Sequence, residues 1–507
     1  MARSSNPPAA LVIEDVDVVG PDAEPVPSAP IAADPAPPDP ADSDARPTGV
    51  GLGTVVGAVA GLWGLLIGLE RLYDNSFLTH LATGRLILDR GAVPTTDPYS
   101  FTANGDPWTV QSWFASVLYA GVEGIGGLGG IRLLNGLLCA TLAIAVWLLT
   151  ARSRSFIVRL AVTAVVLVPA TALWSGRPLL FGLLGLAAVL LVADERMDPR
   201  WLVPIGWVWV NTHGSFPFAI LILVLLGIGR RLDEGEWGPE RRALGWASLG
   251  ILVGAINPMG PRLLLFPLTL LSKTEAFQSI AEWQPPTYQA LVEYWVVGLV
   301  LVGVLGLVRT PRWRSALPLA GFGALALTSA RNLAPMLLVL APILAGAVPR
   351  AGIDIDAIRR PSFRIATIAL GVVGILFAVI ALGRQDVALD AYPEEQVAWM
   401  EDAGLWSSTS RVLAPDYVGN YREAQRGDEA NVFLDDRVDM YPIEVIEDYR
   451  TVIKVDPGWP EVLERRDISA VLWEEDSPLS AALEASDLWT VAHRDAPWVV
   501  FTPAPSP

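Results

Sequence analysis

The chain has 507 residues, of which 52% are hydrophobic and only 18% charged, with a mean hydropathy of +0.43. Soluble domains carry about 25% charged residues, so the bulk of this chain is composed for lipid. A net charge of −17 argues against nucleic-acid binding, whose footprint is basic; a lone cysteine, Cys139, rules out an internal disulfide and any cysteine-built metal site.

The charge divides the chain into three parts. Residues 1–48 hold two basic and nine acidic side chains (−7), residues 49–383 hold 24 and 18 (+6), and residues 384–507 hold 10 and 26 (−16). The first part is rich in Pro, Ala and Asp and reads as a disordered cytoplasmic tail. It lacks a basic stretch beside an apolar run, so it does not read as a cleavable signal. The second part reads as a transmembrane domain and the third as a separate extracytoplasmic domain.

A spanning helix needs about 20 apolar residues. Apolar segments recur near 50–69, 129–150, 157–174, 179–194, 201–212, 215–230, 243–257, 290–308, 314–329, 333–349 and 363–383, which predicts about 11 transmembrane helices. The segment 201–212 is short and contains Pro204, so a broken helix lining a cavity is the alternative there. Segments 112–123 and 262–272 are shorter and are expected at the membrane interface. Arginines gather after every second span: Arg152 and Arg154, Arg196 and Arg200, Arg230 to Arg242, Arg309 to Arg314, and Arg350 to Arg364. The positive-inside rule then puts the N-terminus in the cytoplasm and residues 384–507 outside the membrane.

The loop after the first span, 70–113, is too long and too polar for a plain connector. It carries Asp74, His80, Arg85 and several Asp/Pro turns. On the same predicted outer face lie Arg177 in Trp-Ser-Gly-Arg-Pro, His213 in Asn-Thr-His-Gly-Ser, Glu282 and Trp283 in Ala-Glu-Trp-Gln-Pro-Pro, and Arg331 and Asn332 in Ser-Ala-Arg-Asn-Leu. Polar groups at span ends mark a site or a watery cavity; interfacial anchoring is the alternative. A carboxylate such as Asp74 can deprotonate an attacking hydroxyl, or it can cap the helix that follows. Glu282 is the reserve acid, and Trp283 offers a face for a sugar. Arg177 and Arg331 are suited to clamp a phosphate, and His80 to bind phosphate or orient Asp74. His213 lies between two short apolar segments, like part of a cavity wall.

In residues 384–507, helix-like segments (392–404, 442–453, 459–466, 478–486) alternate with strand-like runs (411–414, 431–434, 468–473, 488–492, 497–502), which predicts a small α/β domain. Residues 494–497 read as the turn of a final hairpin. There is no dinucleotide or P-loop glycine motif. The run Asp435-Asp436-Arg437-Val438-Asp439 could hold a divalent cation, but a solvated acidic turn with an internal Arg–Asp pair is the stronger reading. No cofactor is required by the sequence.

The stretches Asp74–Trp113, WVNTHGSF at 209–216, Asn257–Leu265, IAEWQPP at 280–286, SARNL at 329–333 and VFLDDRVDMY at 432–441 resemble a broad set of bacterial polytopic proteins that look like members of the GT-C superfamily of membrane glycosyltransferases. The resemblance covers most of residues 50–507. It implies a polyprenyl-phosphate-linked sugar donor, an envelope glycan, lipid or protein as acceptor, an external active site, and a catalytic acid in the first external loop, which Asp74 matches by position. The chain departs from the commonest form, in which two acids are adjacent: Asn75 follows Asp74. The competing expectation is a non-catalytic membrane scaffold for envelope assembly that presents the acidic external domain. A transporter ranks below both, because the spans are poor in mid-membrane charge and show no repeat.

Overall fold

The computed structural model describes residues 49–273, 276–347, 358–385 and 392–505. The tail read as disordered, 1–48, lies outside the described residues. The protein is mostly helical, with a small sheet near the C-terminus.

Helix α1 (Leu52–Gly68) leads into a short linker holding Asp74, then α2 (Ser76–Arg90), which ends on Gly91 in the left-handed conformation. Helix α3 (Trp113–Leu149) is 37 residues long, about 55 Å at 1.5 Å per residue. That exceeds a hydrocarbon core of about 30 Å. The expected interfacial segment 112–123 is its first part, set off by non-helical Gly127. Next come α4 (Phe156–Thr171), α5 (Leu179–Ala193), α6 (Leu202–Thr212), α7 (Phe218–Glu234), α8 (Pro239–Val253) and α9 (Arg262–Ser272). The helical bundle closes with α10 (Leu291–Arg309), α11 (Trp313–Thr328), α12 (Leu333–Ala347) and α13 (Pro361–Leu382).

Among the described residues, four helices are long and apolar enough to cross a membrane: Trp113–Arg152, Leu291–Arg309, Ala330–Ala347 and Pro361–Leu382. Shorter apolar helices occupy Leu52–Gly68, Phe156–Thr171, Leu179–Ala193 and Arg262–Leu271. The eleven expected spans are therefore met at full length in four cases. Prolines, glycines and polar turns cut the others short, as at Pro178 before α5 and His213 after α6. α13 leaves Ile365, Ile368, Val372, Ile375 and Val379 exposed, a surface that only lipid or another apolar partner accommodates. α9 exposes Leu265, Leu268 and Leu271 along one side.

Inside the bundle, close helix contact rests on small residues. Gly57, Gly61, Gly64 and Gly68 of α1 face α3, where a Cβ on Gly64 or Gly68 would strike the backbone at Cys139 or Gly136. Such small-residue stripes let helices pack where lipid supplies no hydrophobic drive. The same holds for Gly84 of α2, whose added Cβ would overlap the Ser116 carbonyl of α3.

The C-terminal part contains α14 (Glu394–Asp402), α15 (Asp416–Arg426), α16 (Ile443–Ile453), α17 (Trp459–Arg465) and α18 (Pro478–Glu484). Two short antiparallel strands, β1 (Val50–Gly51) and β2 (Arg359–Arg360), start α1 and α13 on a common side. The C-terminal strands are β3 (Val412–Leu413), β4 (Ala470–Glu474), β5 (Trp489–Asp495) and β6 (Trp498–Pro503), in the order β3-β4-β6-β5. β3 and β4 are parallel; the other pairs are antiparallel, and β5–β6 is the hairpin read from sequence. α15 was not foreseen, and the expected strand 431–434 reduces to bridges from Val432 to Val412 and Ser100.

Those bridges join the first loop to the C-terminal part. Phe101 N–H donates to Val432 O (3.0 Å), Val432 N–H donates to Tyr99 O (3.0 Å), and Arg85 donates to Ala424 O (2.8 Å). At the junction sits Arg437, paired with Asp435 (2.5 Å) and Asp97 (2.8 Å), with Glu423 at 3.6 Å. Its guanidinium lies over Trp108 (4.4 Å) and Tyr99 (4.8 Å), and Tyr441 donates to Asp435 (2.5 Å). The run 435–439 thus forms the Arg–Asp pair but is not a solvated turn: Asp435 is fully buried. Burial, with Asp435 beside it, holds Glu423 well above the usual carboxylate range, while Arg437 keeps Asp435 low against its own burial. Removing one partner of a buried ion pair costs about 3–5 kcal/mol. Arg437→Met is therefore expected to destabilise the protein by roughly that amount and to expose the first loop to protease. Thermal unfolding and limited proteolysis of the purified chain check this; an unchanged midpoint would refute it.

Candidate functional site

Loops between distant helices supply the site. Asp74, in the α1–α2 linker, is buried, and its Oδ1 accepts from Ser76 N–H (3.0 Å) at the start of α2. Its Oδ2 accepts from Arg177 Nε. Arg177 lies in the tight turn before α5, with its backbone N–H bonded to Ser175 O (2.7 Å). Its Nη1 donates to Glu282 Oε1 (2.5 Å). One guanidinium thus joins both expected acids, across more than 100 residues on each side. Burial opposes the charge on Arg177, but Asp74 and Glu282 outweigh it and hold the group cationic.

Glu282 and Trp283 belong to a short 3₁₀ turn. Ser329 Oγ donates to Glu282 O (2.8 Å), and Ala330 N–H donates to Gln284 O (2.9 Å), so the turn is fixed to the segment before α12. Arg331 then lies over the Trp283 ring at 4.0 Å, and Trp283 stacks on Phe277 at 4.2 Å. Arg331 makes no ion pair among the described residues. Asn332 turns the other way and donates to Leu325 O (3.0 Å), closing the end of α11.

His80, on α2, shares a hydrogen bond with Ser116 Oγ (3.1 Å) and stacks on Tyr119. Burial pushes its imidazole down to about 4, so the ring is neutral at physiological pH. It can orient or hydrogen-bond there, but it brings no positive charge. His213 terminates α6, and its Nδ1 contacts Ser215 Oγ at 2.8 Å, against Gly182 of α5. It lies within electrostatic range of Arg331 and His80. The structure therefore gathers Asp74, His80, Arg177, His213, Glu282, Trp283 and Arg331 in one region and places Asn332 in a helix-capping position. A cleft of about 40 Å³, lined by Glu70, Tyr73, Asn135, Trp174 and Ser175, flanks the Asp74–Arg177 pair.

Two further residues, Asp436 (read from sequence only as part of the acidic run 435–439) and Tyr392, join this region. Asp436 reaches in from the C-terminal part, its Oδ2 accepting from Ser76 Oγ at 2.6 Å. Ser76 thereby touches Asp74 through its backbone and Asp436 through its side chain. Tyr392 is within electrostatic range of Asp74 and Asp436. The available signal for Asp436 was the apolar triplet Val432-Phe433-Leu434 just before it, which marks a buried approach. Among the described residues no group of three or more His, Cys, Asp or Glu side chains is arranged to hold a metal ion.

Burial raises the Asp436 carboxyl to about 7, Asp435 adding to the rise and the Ser76 hydrogen bond opposing it. An unfolded Asp releases its proton near pH ~3.9. Between these values the folded chain holds the proton and the unfolded chain does not, so this group's contribution to stability is present below pH ~4 and lost as pH rises to about 7. Asp436→Asn should remove that slope. Unfolding midpoints of wild type and variant at pH 4.5, 6 and 7.5 check it, and parallel curves would refute it.

No family model matches the chain, and no curated protein matches it. Among solved structures, a cryo-EM structure of the arabinofuranosyltransferase AftD from Mycobacteria is similar, with 14% sequence identity and a TM-score of 0.47 over 89% of this chain. This chain spans 41% of the length of that one.

Proposed function

We propose that the protein is a membrane glycosyltransferase of GT-C type that moves a sugar from a polyprenyl-phosphate donor to an envelope acceptor on the outer face of a bacterial plasma membrane. The observation that carries this reading is the convergence of Asp74, Arg177, Glu282 and Arg331 from four separate loops at one end of the bundle. The sequence resemblance supplies the reaction class. In this reading the N-terminus is cytoplasmic, and the C-terminal part sits outside, above the site.

The reaction needs few groups. Asp74 takes the proton from the acceptor hydroxyl as its oxygen bonds to the anomeric carbon. The bond from that carbon to the phosphate oxygen breaks, and the lipid phosphate leaves with the electron pair. Arg331 and Arg177 stabilise the charge that grows on the phosphate. Because phosphate is a good leaving group, no general acid is required. In the present arrangement two donors of Arg177 are engaged by carboxylates. A donor phosphate would compete for them, freeing Asp74 toward the acceptor. Trp283 offers a stacking face beside Arg331, and Glu282 is the alternative base.

The same saturation of Arg177 also suits a non-catalytic scaffold, in which the three side chains merely hold the loops together. The two readings separate on one variant. Asp74→Asn keeps an oxygen to accept from Ser76 N–H but cannot act as a base. It is expected to cut transfer by about 10²–10⁴-fold at matched levels of folded protein. The check is an envelope-glycan and lipid-linked-sugar profile of a deletion strain complemented with wild type or Asp74→Asn. Full complementation by the variant would overturn Asp74 as base. A deletion that alters no glycan would favour the scaffold.

A further inference from the structure

At the other end of the same helices lies a second built feature. α5 runs from just after Arg177 to Asp194, and α12 runs from just after Arg331 to Gly346. Fifteen residues of helix span about 22 Å. At that far end a cavity of about 250 Å³ is lined by Arg152, Arg196, Arg230, Arg312, Arg314 and Asp194, among others. That volume is several times the ~30 Å³ share of a water molecule.

Carboxylates hold three of the arginines in place. Asp194, almost fully buried, binds Arg152 (Nε to Oδ2, 2.8 Å) and lies 3.4 Å from Arg314. Buried Glu240 binds Arg314 (2.8 Å) and Arg230 (2.9 Å). Asp233 accepts from the backbone N–H groups of Trp313 (2.7 Å) and Arg314 (2.9 Å) and keeps its negative charge beside that turn. Glu234 binds the outer side of Arg230 (3.2 Å). Among the described residues the Arg196 side chain donates to Ala151 O (3.0 Å) alone, and the Arg312 side chain has no partner. Glu195, exposed on a left-handed turn, is the one lining carboxylate that no described cation binds. Three arginines are thus held by carboxylates, Asp194 within the lining and Glu240 outside it, and Arg196 and Arg312 line the same cavity with donors to spare. Forked guanidinium donors around one concavity match phosphate oxygens.

We propose that this cavity binds a phosphate group, at the membrane face opposite the Asp74 region. Two sources share that chemistry: the headgroup of an anionic phospholipid and a soluble phosphate compound. Basic pockets between helix ends are a known mode of headgroup capture.

The test uses the full-length protein in neutral detergent. It is titrated separately with phosphatidylglycerol, phosphatidylcholine and inorganic phosphate, with bound species read by native mass spectrometry. The double variant Arg196→Gln/Arg312→Gln removes the two arginines that make no ion pair, so the backing network stays intact. The exposed pair Arg359→Gln/Arg364→Gln, near the starts of β2 and α13, controls for general basic charge. Wild type is expected to bind phosphatidylglycerol or phosphate saturably. The cavity double variant should bind about thirty-fold more weakly and each single variant about five-fold more weakly, the order expected for losing basic side chains at a membrane surface. The control pair should bind like wild type. Phosphatidylglycerol binding that inorganic phosphate does not displace assigns a lipid; displacement assigns a soluble phosphate ligand. Equal binding of phosphatidylcholine and phosphatidylglycerol without phosphate binding, or an equal loss in the control pair, overturns the proposal.

Discussion

The Arg177 guanidinium is the constraint around which the upper end of the bundle is arranged. It joins the α1–α2 linker to the 282 turn, and it does so from a turn fixed by α5. Around it the chain must bring carboxylates out of water without stranding them. Burying an unpaired charge is prohibitive, so each buried acid here has a cation or a donor. Asp74 has Arg177 and Ser76 N–H; Asp436 has Ser76 Oγ. Ser76, the first residue of α2, serves both acids.

A second charge cluster makes the upper region rigid. Arg437 pairs with Asp435 from its own turn and with Asp97 from the first loop, under the rings of Tyr99 and Trp108. Such a cluster contributes little net stability against an apolar substitute, because desolvation offsets attraction. Its effect is positional. It sets the register of the first loop against Val432, and through the next residue it delivers Asp436 to Ser76. The C-terminal part is thereby tied to the region of Asp74 rather than suspended above it.

Much of this was legible in the residues. The apolar segments located the helices, and polar residues at their ends, chiefly Asp74, Arg177, Glu282 and Arg331, marked the region the loops share. What was not legible was pairing. A 3.6-residue pattern says which side of a helix is apolar but not which partner a buried charge finds 300 residues away. The Asp-Asp-Arg run therefore read as solvated, since its partners Asp97, Tyr99 and Trp108 come from the first loop. Asn332 read as one of the outer-face polar residues; its amide donates to Leu325 O at the end of α11. The length of α3 was hidden too, because Gly-rich sequence near Gly127 imitates a connection between two segments.

The helices impose one more consequence. A helix satisfies its own backbone in lipid, so polar chemistry is confined to its ends. In this fold the two ends differ in kind. At one end, carboxylates stand before single arginines, with aromatic faces beside them; at the other, arginines stand in front of buried carboxylates. Because α5 and α12 contribute to both ends, a shift of either helix along its axis would be felt at each.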